Sequence, residues 1–236
     1  MSSQLSDSIV SSFMSLRNDE QARHLMRFFR TGKGQYGEGD QFLGIRVPAT
    51  RSLVKQFRSD VTLSDIPPLL ASQWHEIRLA GFLLLIELFS KSLKSKDRAT
   101  QQKLVDFYLA NLERSNNWDL VDLVAPKILG EWLLRNPENK DILYQLAQSD
   151  NLWRQRVAIV STWTLIRVRQ FDDTFRLAHY FLVHPHDLIH KATGWMLREI
   201  GKRGGEKELI DFLQANEPFM PRTMYRYAIE RIKDKI

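Results

Sequence analysis

Along almost the whole chain, apolar residues recur every three or four positions, a period of about 3.6 that winds them onto one face of an α-helix. The Val/Ile-rich runs lie inside these longer patterns, so the pattern predicts no sheet. It is interrupted in few places. RTGKGQYGEGDQFLG (30–44) reads as a loop, and turns are expected near Pro67-Pro68, Pro137, Pro185 and Pro218. The segment from Leu152 to Arg169 is apolar almost all round, as in a helix packed on several sides, with Arg156 and Arg167 sharing one strip.

The helices repeat. Arg78-Leu-Ala80, Arg156-Val-Ala158 and Arg226-Tyr-Ala228 each set an Arg-x-Ala step early in an apolar helix, and Asp122 and Lys191-Ala192 occupy comparable places. Positions 78, 122, 156, 191 and 226 are 44, 34, 35 and 35 residues apart, the spacing of stacked helix pairs of HEAT or armadillo type. The fold expected is therefore all-α: one domain over residues 1–236, an α-solenoid or superhelix of HEAT-like repeats with a concave, basic groove.

Helical wheels at ~100° per residue pick out polar positions that a core stripe does not explain. In the helix at 187–200, Leu188, Ile189, Ala192, Thr193, Met196, Leu197 and Ile200 fill one arc, while Lys191, Gly194, Trp195 and Arg198 fall on the opposite one. A large aromatic between two cations suits a polyanion; the alternative is that Trp195 packs under a neighbouring repeat. In the helix beginning near Trp118, the apolar arc is Val121, Val124, Ala125, Ile128 and Trp132, with Trp118 and Asp122 together at its edge. Asn116 or Asn117 can cap this helix, which leaves Asp119 a dispensable first-turn acid. Asp122 has two readings: a working carboxylate, or a buried partner of an arginine from the next repeat such as Arg156.

Composition narrows the chemistry. With no cysteine there is no disulfide, thiolate metal site or cysteine nucleophile. No run of about 18 apolar residues predicts a membrane span, and MSSQLSDSIV lacks the layout of a signal peptide, so a cytoplasmic protein is expected. The net charge of +6 is uneven: residues 151–236 carry 15 Lys/Arg against 10 Asp/Glu, and residues 1–150 carry 19 against 18. Nucleic acid is one partner that such a balance admits. His184, His186 and His190 invite a metal reading, but no second cluster completes a site, and Asp187 reads better as a helix N-cap. The glycines at 32–44 do not make a phosphate loop, because no strand precedes them and no Gly-Lys-Ser/Thr follows.

Four segments stand out, NWDLVD (117–122), WRQRVA (153–158) and KATGWMLRE (191–199), supported by FLGIRVP (42–48). In them the chain resembles the AlkD-type DNA alkylation-repair glycosylases, which are built from HEAT-like repeats. The resemblance implies excision of cationic alkylated purines, of the N3-methyladenine and N7-methylguanine type, from double-stranded DNA. It implies no metal or cofactor and no flipping of the base. On matching positions the catalytic carboxylate is Asp122, the groove tryptophans are Trp118 and Trp195, and the arginine is Arg156; Arg156, Lys191 and Arg198 are expected to hold phosphates. The loop around 32–41 is longer and more glycine-rich than the resemblance suggests. A monomer is expected, associated with the nucleoid when bound to DNA, without lyase activity. A catalytically silent DNA-binding or protein-interaction module is the alternative.

Overall fold

The computed structural model describes residues 4–233, and among them there are helices, turns and one isolated bridge between Gln41 and Trp74, but no strand. The all-helical, repeat-built class expected from the periodicity is the one observed. Two compact units divide at Leu120/Val121.

The first unit is organised around the long helix His75–Lys94, buried on every side over most of its length. Helices Val47–Phe57, Ile66–Leu70 and Arg98–Ala110 pack against it. Pro67 and Pro68 make no turn; they occupy the first turn of helix Ile66–Leu70, where a missing N–H removes no intrahelical bond. The turn lies just before them, where Thr62 and Asp65 cap each other. The glycine-rich segment is a loop, as expected. Its exit is fixed by Glu76, whose carboxylate accepts the backbone N–H groups of Leu43, Gly44 and Ile45 at 2.8, 2.8 and 3.1 Å. Gly44 has φ +84°, and a Cβ there would lie 2.1 Å from the carbonyl oxygen of Asn18, so this crossing requires glycine.

In the second unit the central helix is Leu152–Arg167, and its all-round apolar surface is accounted for. It packs on helix Asp141–Ala147, on the segment Pro126–Gly130 and on helix Asp187–Lys202, which in turn carries helix Arg222–Ala228. The helix expected to run on from Trp118 is broken: α-helix Trp118–Val124 gives way to a π-helical turn, Pro126–Gly130, then to α-helix Glu131–Arg135. Pro126 cannot donate to the ladder, and Gly130 N–H bonds Ala125 O at 2.9 Å across the widened turn. Thr164 Oγ1 donates to the Pro126 carbonyl at 2.7 Å, and a Cβ on Gly130 would lie 2.5 Å from Ser161 O. The π turn is thus seated on the central helix by a hydrogen bond and by the absence of a side chain.

Candidate functional site

In the second unit Asp122 meets Arg156. Arg156 Nε donates to Oδ1 and Nη2 to Oδ2, both at 2.8 Å, while Nη1 donates to Leu188 O at 2.6 Å. The planar fork matches the carboxylate in the geometry that makes such pairs strong. The Arg156 side chain is 6% exposed and that of Asp122 is 19% exposed. The arginine is therefore the buried anchor, and the carboxylate is the member that reaches the surface. A phosphate role for Arg156 does not fit this arrangement, because its fork is committed to Asp122 and a backbone carbonyl.

The remaining residues of that unit are arranged less openly than the wheel suggested. Gly194 is buried: its Cβ position lies 2.5 Å from Met224 O and 2.6 Å from Tyr227 Cβ, so this face receives helix Arg222–Ala228. Arg198 pairs with Glu230 and lies 3.6 Å from Glu199. Trp195 and Lys191 remain half-buried. Lys191 Nζ is 2.6 Å from Asp187, one turn away, in a pair exposed enough that solvent screens it. Burial pushes the Asp187 carboxyl up, but hydrogen bonds from Lys191 and Thr223 together with the nearby positive charge of Lys191 outweigh it and hold the carboxyl below its usual range.

In the first unit Trp118 is half-buried, stacked on Phe29 with ring centroids 5.3 Å apart and meeting Phe28 edge-on at 6.0 Å. Asp119, expected to be dispensable, is not. Its Oδ2 lies 2.8 Å from Nε2 of His75, while Nδ1 of His75 lies 2.8 Å from Oδ2 of Asp40. Arg78 Nη2 donates to Asp40 Oδ1 and, at 3.2 Å, to Asn116 Oδ1. Asn117 Oδ1 accepts the N–H of Trp118 at 2.9 Å, so Asn117 serves the helix start and Asn116 serves Arg78. His75 was not legible as part of any site. It sits 44 residues before Asp119, and the only signal was a histidine and a glutamate opening a helix without a solvent face.

The histidines near 184–190 are hydrogen-bonded within the fold. His184 Nδ1 accepts the His186 N–H at 3.0 Å, His186 Nδ1 accepts the Leu188 N–H at 3.1 Å, and His190 Nε2 contacts His184 O. Burial holds His184 and His186 below the usual histidine range, which suits rings that accept bonds. The N-cap of helix Asp187–Lys202 is His186, one residue before the aspartate expected there. Among the described residues no group of three or more His, Asp or Glu side chains has the geometry to hold a metal ion, and no helix is long and apolar enough to cross a membrane.

Residues 9–232 match the sequence pattern of a family described as DNA alkylation repair enzyme. None of the curated proteins compared matches the chain. Among solved structures, a predicted DNA alkylation repair enzyme from Enterococcus faecalis is similar in fold, with a TM-score of 0.73 at 18% identity, over 92% of this chain and 97% of the other.

Proposed function

The chain belongs to the DNA alkylation repair enzyme family, and from that premise we propose that it is a monofunctional glycosylase hydrolysing the N-glycosidic bond of cationic alkylated purines in duplex DNA, with the damaged base left in the helix. The observation that carries this reading is Asp122: a carboxylate fixed by two parallel bonds from a buried arginine, with part of its side chain still at the surface.

A purine alkylated at N3 or N7 already bears a positive charge, so it departs with the glycosidic electron pair without being protonated first. The sugar left behind develops oxocarbenium character at C1′, and water adds there with loss of a proton. A carboxylate set in place beforehand stabilises that charge without reorganising, and it can accept the proton from water. Arg156 offsets part of Asp122's negative charge, so its service is geometric: it is a positioning residue. N3-methyladenine and N7-methylguanine are the substrate class that this chemistry selects, since an uncharged purine would need a general acid.

DNA is the partner. Trp195 is assigned to pack on the damaged nucleotide, where a cation–π contact contributes about 1–2 kcal/mol when desolvated. Lys191 and Arg198 are assigned to phosphates, each exchanging a partly exposed carboxylate partner for a phosphate oxygen. Trp118, backed by Phe29, is assigned separately as an aromatic surface for DNA.

The test is base release from duplex DNA carrying N7-methylguanine, wild type against Asp122→Asn. Release by wild type alone, with both proteins folded and DNA-bound, supports the reading. No release by wild type from N7-methylguanine or N3-methyladenine refutes it. The second reading, a catalytically silent DNA-binding relative, is favoured by the burial of Arg156. In that case Asp122→Asn lowers stability and changes nothing else.

A further inference from the structure

In the first unit one side chain is held by two carboxylates at once. Each ring nitrogen of His75 lies 2.8 Å from a carboxylate oxygen, Nδ1 from Asp40 and Nε2 from Asp119. Carboxylates only accept, so both nitrogens must donate, and the ring that satisfies both is the imidazolium. A neutral ring would turn a lone pair toward one of the two oxygens. The ring is 2% exposed and Asp40 is fully buried, with Arg78 as a second cation. Phe42 and Phe29 flank the imidazole at 4.5 and 5.2 Å between centroids. The other charged group beside it on its own helix, Glu76, is occupied by the backbone of residues 43–45.

The two carboxylates are not held equally. Asp40 has Arg78 as well as His75. Asp119 Oδ1 is buried with no hydrogen-bond partner, so its bond to His75 is the one that fixes this side chain. Asp119 follows Trp118 in the first turn of its helix, and the Trp118 ring stacks on the same Phe29 that contacts His75. Loss of the proton would remove one donor, and the residue released would be Asp119, the more exposed of the pair at 18% against 0%.

We propose that His75 is a positioning residue, held as a cation between Asp40 and Asp119, and that its charge fixes the start of the Trp118 helix and hence the Trp118 ring. The consequence for DNA binding rests on the role assigned to Trp118 above; the positioning itself does not. Burial disfavours the charged form, but Asp119 and then Asp40 outweigh it and push His75 up to about 9. The device is therefore set at neutral pH and released in alkali.

The experiment uses the full chain. Nitrogen-15 spectra of histidine-labelled protein, with His75 assigned through His75→Gln, are expected to show both ring nitrogens protonated at pH 7.5 and to titrate with a midpoint near 9. A neutral ring at pH 7.5 overturns the proposal. In parallel, fluorine spectra of 5-fluorotryptophan-labelled protein, with Trp118 assigned through Trp118→Phe, are expected to show its resonance shifting with the same midpoint. The shift should disappear in Asp119→Asn. A Trp118 resonance that ignores the His75 titration also overturns the proposal, even where the imidazolium is confirmed. These readouts need no DNA. If both hold while wild type fails to bind duplex DNA, the functional reading falls and the positioning role of His75 stands.

Discussion

Asp119 and Asp122 stand three residues apart in one short helix, and each is docked on a cation from a distant part of the chain. In the first unit the cation is His75, buried between two carboxylates. In the second it is Arg156, whose fork takes both oxygens of one carboxylate. The mechanical task is the same, but the chemistry of the partner is opposite. A guanidinium keeps its proton at every pH a protein survives, whereas an imidazolium holds its proton only as long as its neighbours favour it. The two anchors teach that one fold can hold a carboxylate by a fixed charge in one unit and by a titratable one in the other.

The sharpest way to break the comparison is at Asp122. Asp122→Asn is expected to lower single-turnover base release by about a hundredfold or more, the scale of losing one preorganised electrostatic group. Asp119→Asn should leave the chemical step far less affected, so equal losses would mean that the two carboxylates are not distinct in role. Next in size is Arg156→Ala, which removes two parallel bonds from a largely buried carboxylate and is expected to cost about 3 kcal/mol in urea unfolding. Arg156→Lys should recover only part, because an ammonium cannot replace the parallel bonds.

A smaller and more selective effect is expected of His75. Its folded-state value near 9 lies above the ordinary 6.5, so its stabilisation is fully present below about pH 6.5 and is lost as pH rises through about 9. Wild-type stability should fall across that window, and His75→Gln should lack that component of the slope while being less stable at neutral pH. A parallel pair of pH–stability curves would show that His75 carries no extra proton in the folded state. The smallest effect is expected for Lys191→Ala. Its exposed pair with Asp187 should leave stability within about 0.5 kcal/mol. The salt dependence of DNA binding should become shallower by about 0.9 in log–log slope if Lys191 meets a phosphate.

The difference between the anchors also marks what the sequence could disclose. Asp122 and Arg156 belong to positions spaced at the repeat length, so their meeting was one of two readings open from periodicity alone. Asp119 was misread because a first-turn acid has a sufficient local explanation, and its actual partner is a histidine 44 residues earlier, at the start of another helix. Wheels report one helix at a time, which is why Gly194 was placed on an open face; a glycine there signals instead the close approach of the next helix. The π turn has a visible cause in Pro126, but its acceptance depends on Thr164, 38 residues later, and no local pattern carries that.

The triple clasp of Glu76 on residues 43–45 gives the glycine-rich segment an engineering use. Its entry is tied too, by the bond from Thr31 N–H to Met26 O, so the exposed tip at Lys33 and Gly34, held by its own bonds from Gln35 N–H to Gly32 O and from Gly34 N–H to Glu38, lies between two fixed ends. Closing a longer loop between fixed ends costs only about 0.6 kcal/mol per doubling of its length. An epitope or a fluorophore-bearing peptide inserted between Lys33 and Gly34 should therefore be carried without disturbing either anchor, and this makes the tip a suitable point for immobilising the protein or following it in single-molecule work.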